Sequence, residues 1–159
     1  MAIVMKADGI PGELTIAGFE GWMPLTTVEW TAQAQRVTDR DGVTVQGLPQ
    51  LQDIVFGKVT DTSSTFLTEA MTRNREIPSI RISWLRTGDD GALPYYGFDL
   101  ENCYVKSFKA ASLGGGDSRP AEIWTIGYES VTVQVHNTGD DLAGSQLAVT
   151  FSVPGARSR

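Results

Sequence analysis

Histidine and cysteine are almost missing from this chain: His136 and Cys103 are the only ones in 159 residues. A lone cysteine cannot close an internal disulfide, which fits a reducing compartment. One histidine and one cysteine leave a zinc site short of ligands. A Ser–His–Asp triad would have to use His136, and no Gly-x-Ser-x-Gly elbow is present to supply its nucleophile. Basic residues are the minority, 13 Lys and Arg against 19 Asp and Glu, for a net charge of −6. A nucleic-acid binder needs a basic face to displace counterions, so that class is disfavoured. No apolar run approaches the ~18 residues of a membrane helix, so no membrane insertion is expected. The opening MAIVMKADGIPGE reaches Asp8 and Gly9 too soon for a signal-peptide core, so export by that route is not expected either.

What is present is alternation. IVMKAD (3–8), WMPLTTVEW (22–30), LQDIVFGKV (51–59) and SIRISWL (79–85) read as strands, rich in β-branched and aromatic residues. In the fourth, Ile80, Ile82 and Trp84 point inward, Arg81 and Ser83 outward. PYYGFDLENCYVKSFKA (94–110) changes parity. Tyr96, Phe98 and Leu100 share one face and Cys103 and Val105 the other, which predicts a bulge near Glu101. AEIWTIGYESVTVQV (121–135) switches likewise, from Trp124, Ile126 and Tyr128 to Val131, Val133 and Val135. QLAVTFSV (146–153) aligns Leu147, Val149, Phe151 and Val153. Loops are expected at 88–91, 112–120 and 137–145, and a loose tail at 154–159. One domain, 1–153, is expected, a β-barrel or sandwich.

The alternation stops at FGKVTDTSSTFLTEAMTRNREIP (56–78). Ser63 and Ser64 are N-cap types. Phe66, Leu67, Ala70 and Met71 fall at helical spacing and should face a sheet. Asn74 suits a left-handed stop and Pro78 forbids continuation, so a helix of about 64–73 is predicted. At about three turns it needs packing to be stable. RVTDRDGVTVQGLPQ (36–50) is a polar excursion, with Asp41-Gly42 as a turn signal, and reads as an extended loop or hairpin arm.

The remaining motifs build no active site. DRDG (39–42) resembles the start of a calcium loop but lacks the later acidic ligands. Asp89–Asp90 and Asp140–Asp141 are adjacent pairs whose side chains would diverge, a poor arrangement for paired acid–base work. GGGD (114–117) lacks the Gly-Lys-Ser/Thr ending of a phosphate loop. His136 reads as an exposed strand end, and the four tryptophans as core or interface. No catalytic residue, metal or cofactor is assigned, and the chain is not expected to be an enzyme.

In order, MKADGIPGE, GWMPLTTVEW, KVTDTSSTFLTEA, IPSIRIS and LENCYVKSFKAASLGGGDSRPAEIWTIGYESVTVQV resemble the haemolysin-coregulated protein (Hcp) family of type VI secretion systems. The most specific parts are Asp8-Gly9-Ile10 with Gly12-Glu13, the Lys58…Asp61…Ser63-Ser64…Leu67 block, and the Gly-Gly loop before Pro120-x-Glu122. Phe19, Thr65 and Asn74 depart from the family's usual histidine, proline and glycine. The resemblance implies a compact β-barrel of two sheets flanked by one helix, without catalytic function. It implies homohexameric rings stacked head-to-tail into a tube, expelled by a contractile sheath behind a spike protein, with effectors carried or chaperoned in the lumen. The subunit would sit in the bacterial cytoplasm before firing and be secreted afterwards.

Ring closure needs one heterologous interface and stacking a second. The 36–50 excursion is the candidate for the second, through Arg36, Asp39, Arg40, Asp41, Val43 and Val45. The competing readings are a tail-tube protein of a phage or extracellular contractile device, which would share the ring logic, and a small hydrolase or carbohydrate-binding β-domain, which would not.

Overall fold

The computed structural model describes residues 2–47, 49–88, 91–112, 114, 119–136 and 146–152. In chain order the elements are β1 (Ala2–Ala7), β2 (Met23–Leu25), β3 (Thr27–Glu29), β4 (Ala32–Gln33), β5 (Arg36–Thr38), β6 (Thr44–Gln46), β7 (Gln50–Leu51), β8 (Ile54–Val59), α1 (Thr62–Thr72), β9 (Ile77–Gly88), β10 (Gly91–Ala111), β11 (Ala121–Gly127), β12 (Ser130–His136) and β13 (Gln146–Ser152). The tail at 154–159, Val153, the Asp89–Asp90 pair, the 137–145 loop with Asp140–Asp141, and most of the 112–120 loop lie outside the described residues, as does the side chain of Leu147.

The parity switches are the corners of the fold. The first half of β10 runs antiparallel to β9 on one side and β12 on the other, and from Tyr104 onward it pairs with β11 instead. One long strand therefore belongs to two sheets. Between buried Leu100 and buried Cys103 the exposed pair Glu101–Asn102 resets the alternation. Asn102 takes φ 51°, a left-handed conformation that asparagine tolerates better than most residues. The segment paired with it turns at the same level, where Glu129 N–H donates to Glu101 O at 3.0 Å between β11 and β12.

The opposite corner is tighter. The strand path β2-β1-β9-β10-β11-β8-β3 is open, and among the described residues its end strands each pair with a single neighbour. The expected barrel is thus not closed by a ladder. Its two ends are joined by the chain itself, through Thr26 alone, whose N–H donates to Gly57 O at 2.8 Å. A Cβ on Gly57 would lie 2.6 Å from Thr27 Oγ1 and 2.8 Å from Thr26 Oγ1, so this corner requires glycine. Strands that switch sheets at corners let two sheets enclose one core. That core holds Met5, Phe56, Ile80, Ile82, Leu100, Trp124 and Ile126. Ser83, expected outward, faces that way in register yet is buried beside Gly97.

The helix begins two residues earlier than the sequence suggested. Its N-cap is Asp61, not Ser63 or Ser64. Asp61 Oδ1 accepts from Ser63 N–H at 2.9 Å, and Ser64 Oγ accepts from Asp61 N–H at 3.2 Å, a reciprocal capping box. Both serines lie inside the helix and are buried. Asn74, at φ 51°, ends it. Ser63, Ser64, Leu67 and Ala70 form the buried stripe, and Met71 packs beside it. Phe66 does not join them and is exposed. At 100° per residue it sits about 100° from the stripe's centre, over the edge of the contact. Leu67→Ala should therefore cost about 3 kcal/mol and Phe66→Ala less than about 1 kcal/mol. Urea unfolding of the two variants checks this, and equal losses would show the helix docked on the wrong face.

Candidate assembly surfaces

Inside the fold, a cluster of charges fixes the helix to the sheets. The Lys58 side chain, at the end of β8, is fully buried. Its Nζ donates to Asp61 Oδ1 at 2.8 Å, Ser64 Oγ at 2.8 Å, Val59 O at 3.1 Å and Glu122 Oε1 at 3.3 Å. Glu122, on β11, also accepts from Ser64 Oγ (2.7 Å), Trp124 Nε1 (3.1 Å) and, through Oε2, from Thr60 Oγ1 (2.9 Å). A buried ion pair is tolerated only when its remaining polar atoms are satisfied. Among the described residues no buried side-chain polar atom lacks a partner. The cluster joins β8, α1 and β11, so it acts as a clasp.

Burial pushes the Asp61 and Glu122 carboxyls up, but their bonds outweigh it and leave both below the ordinary carboxylate values. Lys58 and Ser63 do this for Asp61, and Ser64, Trp124, Thr60 and Lys58 for Glu122. Groups with lowered folded values contribute stability above their unfolded pKa and lose it as pH falls through the folded one. Melting temperature should therefore drop as pH falls below about 4, and Glu122→Gln should flatten that slope. An unchanged slope in the variant would remove Glu122 from the clasp.

The rest of the interior carries little chemistry. Burial pushes the Cys103 thiol up to about 12, helped by the charge of Glu76, so it stays protonated. His136 ends β12 opposite Gln146. Among the described residues no group of three or more His, Cys, Asp or Glu could hold a metal ion. Nor is any helix there long and apolar enough to cross a membrane.

The outside is more informative. Residues 32–47 and 49–51 form a two-stranded ribbon: β4 pairs with β7, and β5 with β6. At its tip Asp39 Oδ1 accepts from Asp41 N–H and Val43 N–H, both at 2.9 Å, and Gly42 takes φ 80°. This shapes the DRDG segment as a tight turn. Arg36 faces Gln46 in β5–β6, and Arg40 and Asp41 stand exposed at the tip. Among the described residues neither arginine, nor Asp39 or Asp41, forms an ion pair. Val37 lies directly opposite Val45, and Val43 shares their face by the two-residue period. All three are more than half exposed, at 61, 56 and 54 %. Val37 gives no signal of its own in a segment whose composition is polar.

The walls offer two more apolar strips. Among the described residues β13 pairs only with β12, at the edge of its sheet. Val149 and Phe151 stand opposite Val133 and Val131 and so share the core-facing side, yet both are exposed. The alignment of Val149 with Phe151 expected from the sequence holds, but that side of β13 is left uncovered. The sheet runs past the region that the second sheet covers, and β13 overhangs it. On the outer side of the second sheet, Val59 and Ile123 are exposed as well.

These features define a class before they define a family: a mainly β subunit with a two-stranded ribbon and uncovered apolar strips. The family model for "Type VI secretion system effector, Hcp" matches residues 4–135. The chain belongs to the Hcp family of type VI secretion effector and tube proteins. Solved structures agree in fold. A structure described as a type six secretion system protein superposes with a TM-score of 0.85 at 19% identity, covering 98% of each chain. A type VI secretion system effector from Yersinia pestis gives 0.75 at 15% identity, over 95% of this chain and 99% of its own. The Hcp1 protein of E. coli EAEC 042 gives 0.73 at 21%, over 95% and 96%. No curated protein matches the sequence.

Proposed function

We propose that this chain is the tube subunit of a type VI secretion system. Residues 1–153 act as one unit. Six copies close a ring through their walls, and rings stack head-to-tail through the arms. The tube is expelled by a contractile sheath behind a spike protein, and its lumen can hold effector proteins. The subunit waits in the bacterial cytoplasm and leaves the cell through this machine, performing no catalysis and needing no cofactor.

One observation carries the reading: the exposed ribbon with Val37, Val43 and Val45 on one face. A lone two-stranded hairpin is marginal in water, so a ribbon with an exposed apolar face suits contact with another chain. The exposed edge of β13 suits the other kind of contact, since an unpaired edge is a ready template for a neighbour. Both contacts are heterologous, one closing by rotation and one propagating along an axis.

Native mass spectrometry of the purified protein tests the ring. A six-subunit species is expected. A clean monomer at micromolar concentration would sink the tube-subunit reading.

A further inference from the structure

The arm leaves the body at Trp30 and returns at Gln52, and both ends meet at one atom. The Tyr128 hydroxyl accepts from Trp30 Nε1 at 2.5 Å and donates to Gln52 O at 2.6 Å. Beside it, Gln52 N–H donates to Thr31 O at 2.9 Å. Lys106 Nζ, on β10, holds Asp53 Oδ2 at 2.9 Å. The Trp30 ring meets Phe98 edge-on, with centroids 5.4 Å apart. Tyr128 itself is buried in the corner between β11 and β12. One oxygen thus joins the outgoing strand, the returning strand and the corner where the sheets meet.

Beyond that root the arm has little else to steer it. Among the described residues, the hydrogen bonds of 35–47 stay within the ribbon. The tip lies about ten residues from Trp30, up to roughly 30 Å at strand rise. A tilt of about 10° at the root would move the tip by about 5 Å, enough to miss a contact.

We propose that the Tyr128 hydroxyl is a positioning residue, which sets the arm's exit direction and so makes the arm fit to meet a second copy of this chain in the next ring. This rests on the tube-subunit reading. The phenol is suited to the task. Burial raises its pKa, Asp53 adds to that, and the Trp30 bond offsets only part, so it remains a donor at neutral pH. If the tyrosine merely filled space, its ring alone would suffice, and phenylalanine would serve equally.

Tyr128→Phe separates the two roles, because it keeps the ring and removes only the oxygen. Hydrogen–deuterium exchange should quicken about tenfold at residues 31–35 and 47–52, with β9 and β10 unchanged. Hexamers should persist by native mass spectrometry, while electron microscopy should show short tubes or none. Trp30→Phe should act in the same direction, and the double variant should add little to Tyr128→Phe. Arm exchange at the parent rate would overturn the proposal, as would faster arm exchange with tubes of parent length. If Tyr128→Phe loosens β9 and β10 as well, Trp30→Phe, which leaves Tyr128 in place and removes the indole donor with part of its ring, decides by the same readouts. A parent protein that never forms hexamers would refute the tube-subunit reading instead, and leaves the exchange measurement standing for the arm's root.

Discussion

Lys58→Met should cost this subunit about 3–5 kcal/mol, a large part of the stability of a chain this size. Methionine keeps most of the volume and removes only the charge and its donors. What remains is Asp61 and Glu122, each with a side chain 6% exposed and stripped of the cation. The expense lies in those stranded carboxylates more than in the lost attraction. Glu122 retains Ser64, Trp124 and Thr60 as donors, so it is partly protected. Asp61 retains Ser63, but its role as N-cap puts the first turn of α1 at risk too. For a chain of 159 residues the loss corresponds to a fall in melting temperature of about 10 °C. The double variant Lys58→Met, Glu122→Gln should recover part of it, since one buried charge has gone. Thermal unfolding of the three proteins checks this. A single variant that melts within about 2 °C of the parent would mean the cluster is not a clasp.

That cluster marks the limit of what the sequence disclosed. Lys58, Asp61, Ser64 and Glu122 all stood within the segments that resemble Hcp, but their meeting could not be seen. Lys58 and Glu122 are 64 positions apart and touch only because β8 pairs with β11. Local signals fared better. The parity flip around Glu101 is a two-residue rule, but the bulge it predicted there is not found: the register shifts lie between Pro94 and Tyr96 and between Val105 and Ser107, and the flip instead marks where β10 passes from one sheet to the other. The stop at Asn74 was legible as a local signal. The start of α1 was misplaced because Asp61, Ser63 and Ser64 are all good capping residues, and only burial of the serines decides among them. Phe66 fails in a different way, and the exposure of Val149 and Phe151, though their alignment was right, was illegible for the same reason. Periodicity says which residues share a side, not whether anything covers that side. Trp30, Gln52 and Tyr128 carried no joint signal, since a tryptophan and a tyrosine in strands read as core.

On the tube-subunit proposal, shortening residues 38–48 to a Gly-Ser link should leave hexameric rings intact and abolish tubes and secretion. Among the described residues, 38–47 make no ladder with β1, β9 or β11, so their removal should leave both sheets and the core unchanged. The deletion ends beyond the root, so Trp30, Gln52 and Tyr128 keep their bonds. What is lost is the tip turn built on Asp39, the charges of Arg40 and Asp41, and the exposed Val43 and Val45. Those valines are the part of the arm with something to gain from a partner, because covering them removes apolar surface from water. The charges contribute less. Exposed ion pairs are worth at most about 1 kcal/mol and chiefly set register, which suits a contact that forms along a growing tube. Exchanging the signs at Arg40 and Asp41 together should therefore weaken stacking less than the deletion does. Val37→Ser with Val45→Ser should weaken it more than the charge exchange, although both leave the turn in place. Electron microscopy of these variants, with native mass spectrometry to count subunits, distinguishes the possibilities. Long tubes from the deletion variant would move stacking to another surface, and a collapse to monomers would place the arm in the ring.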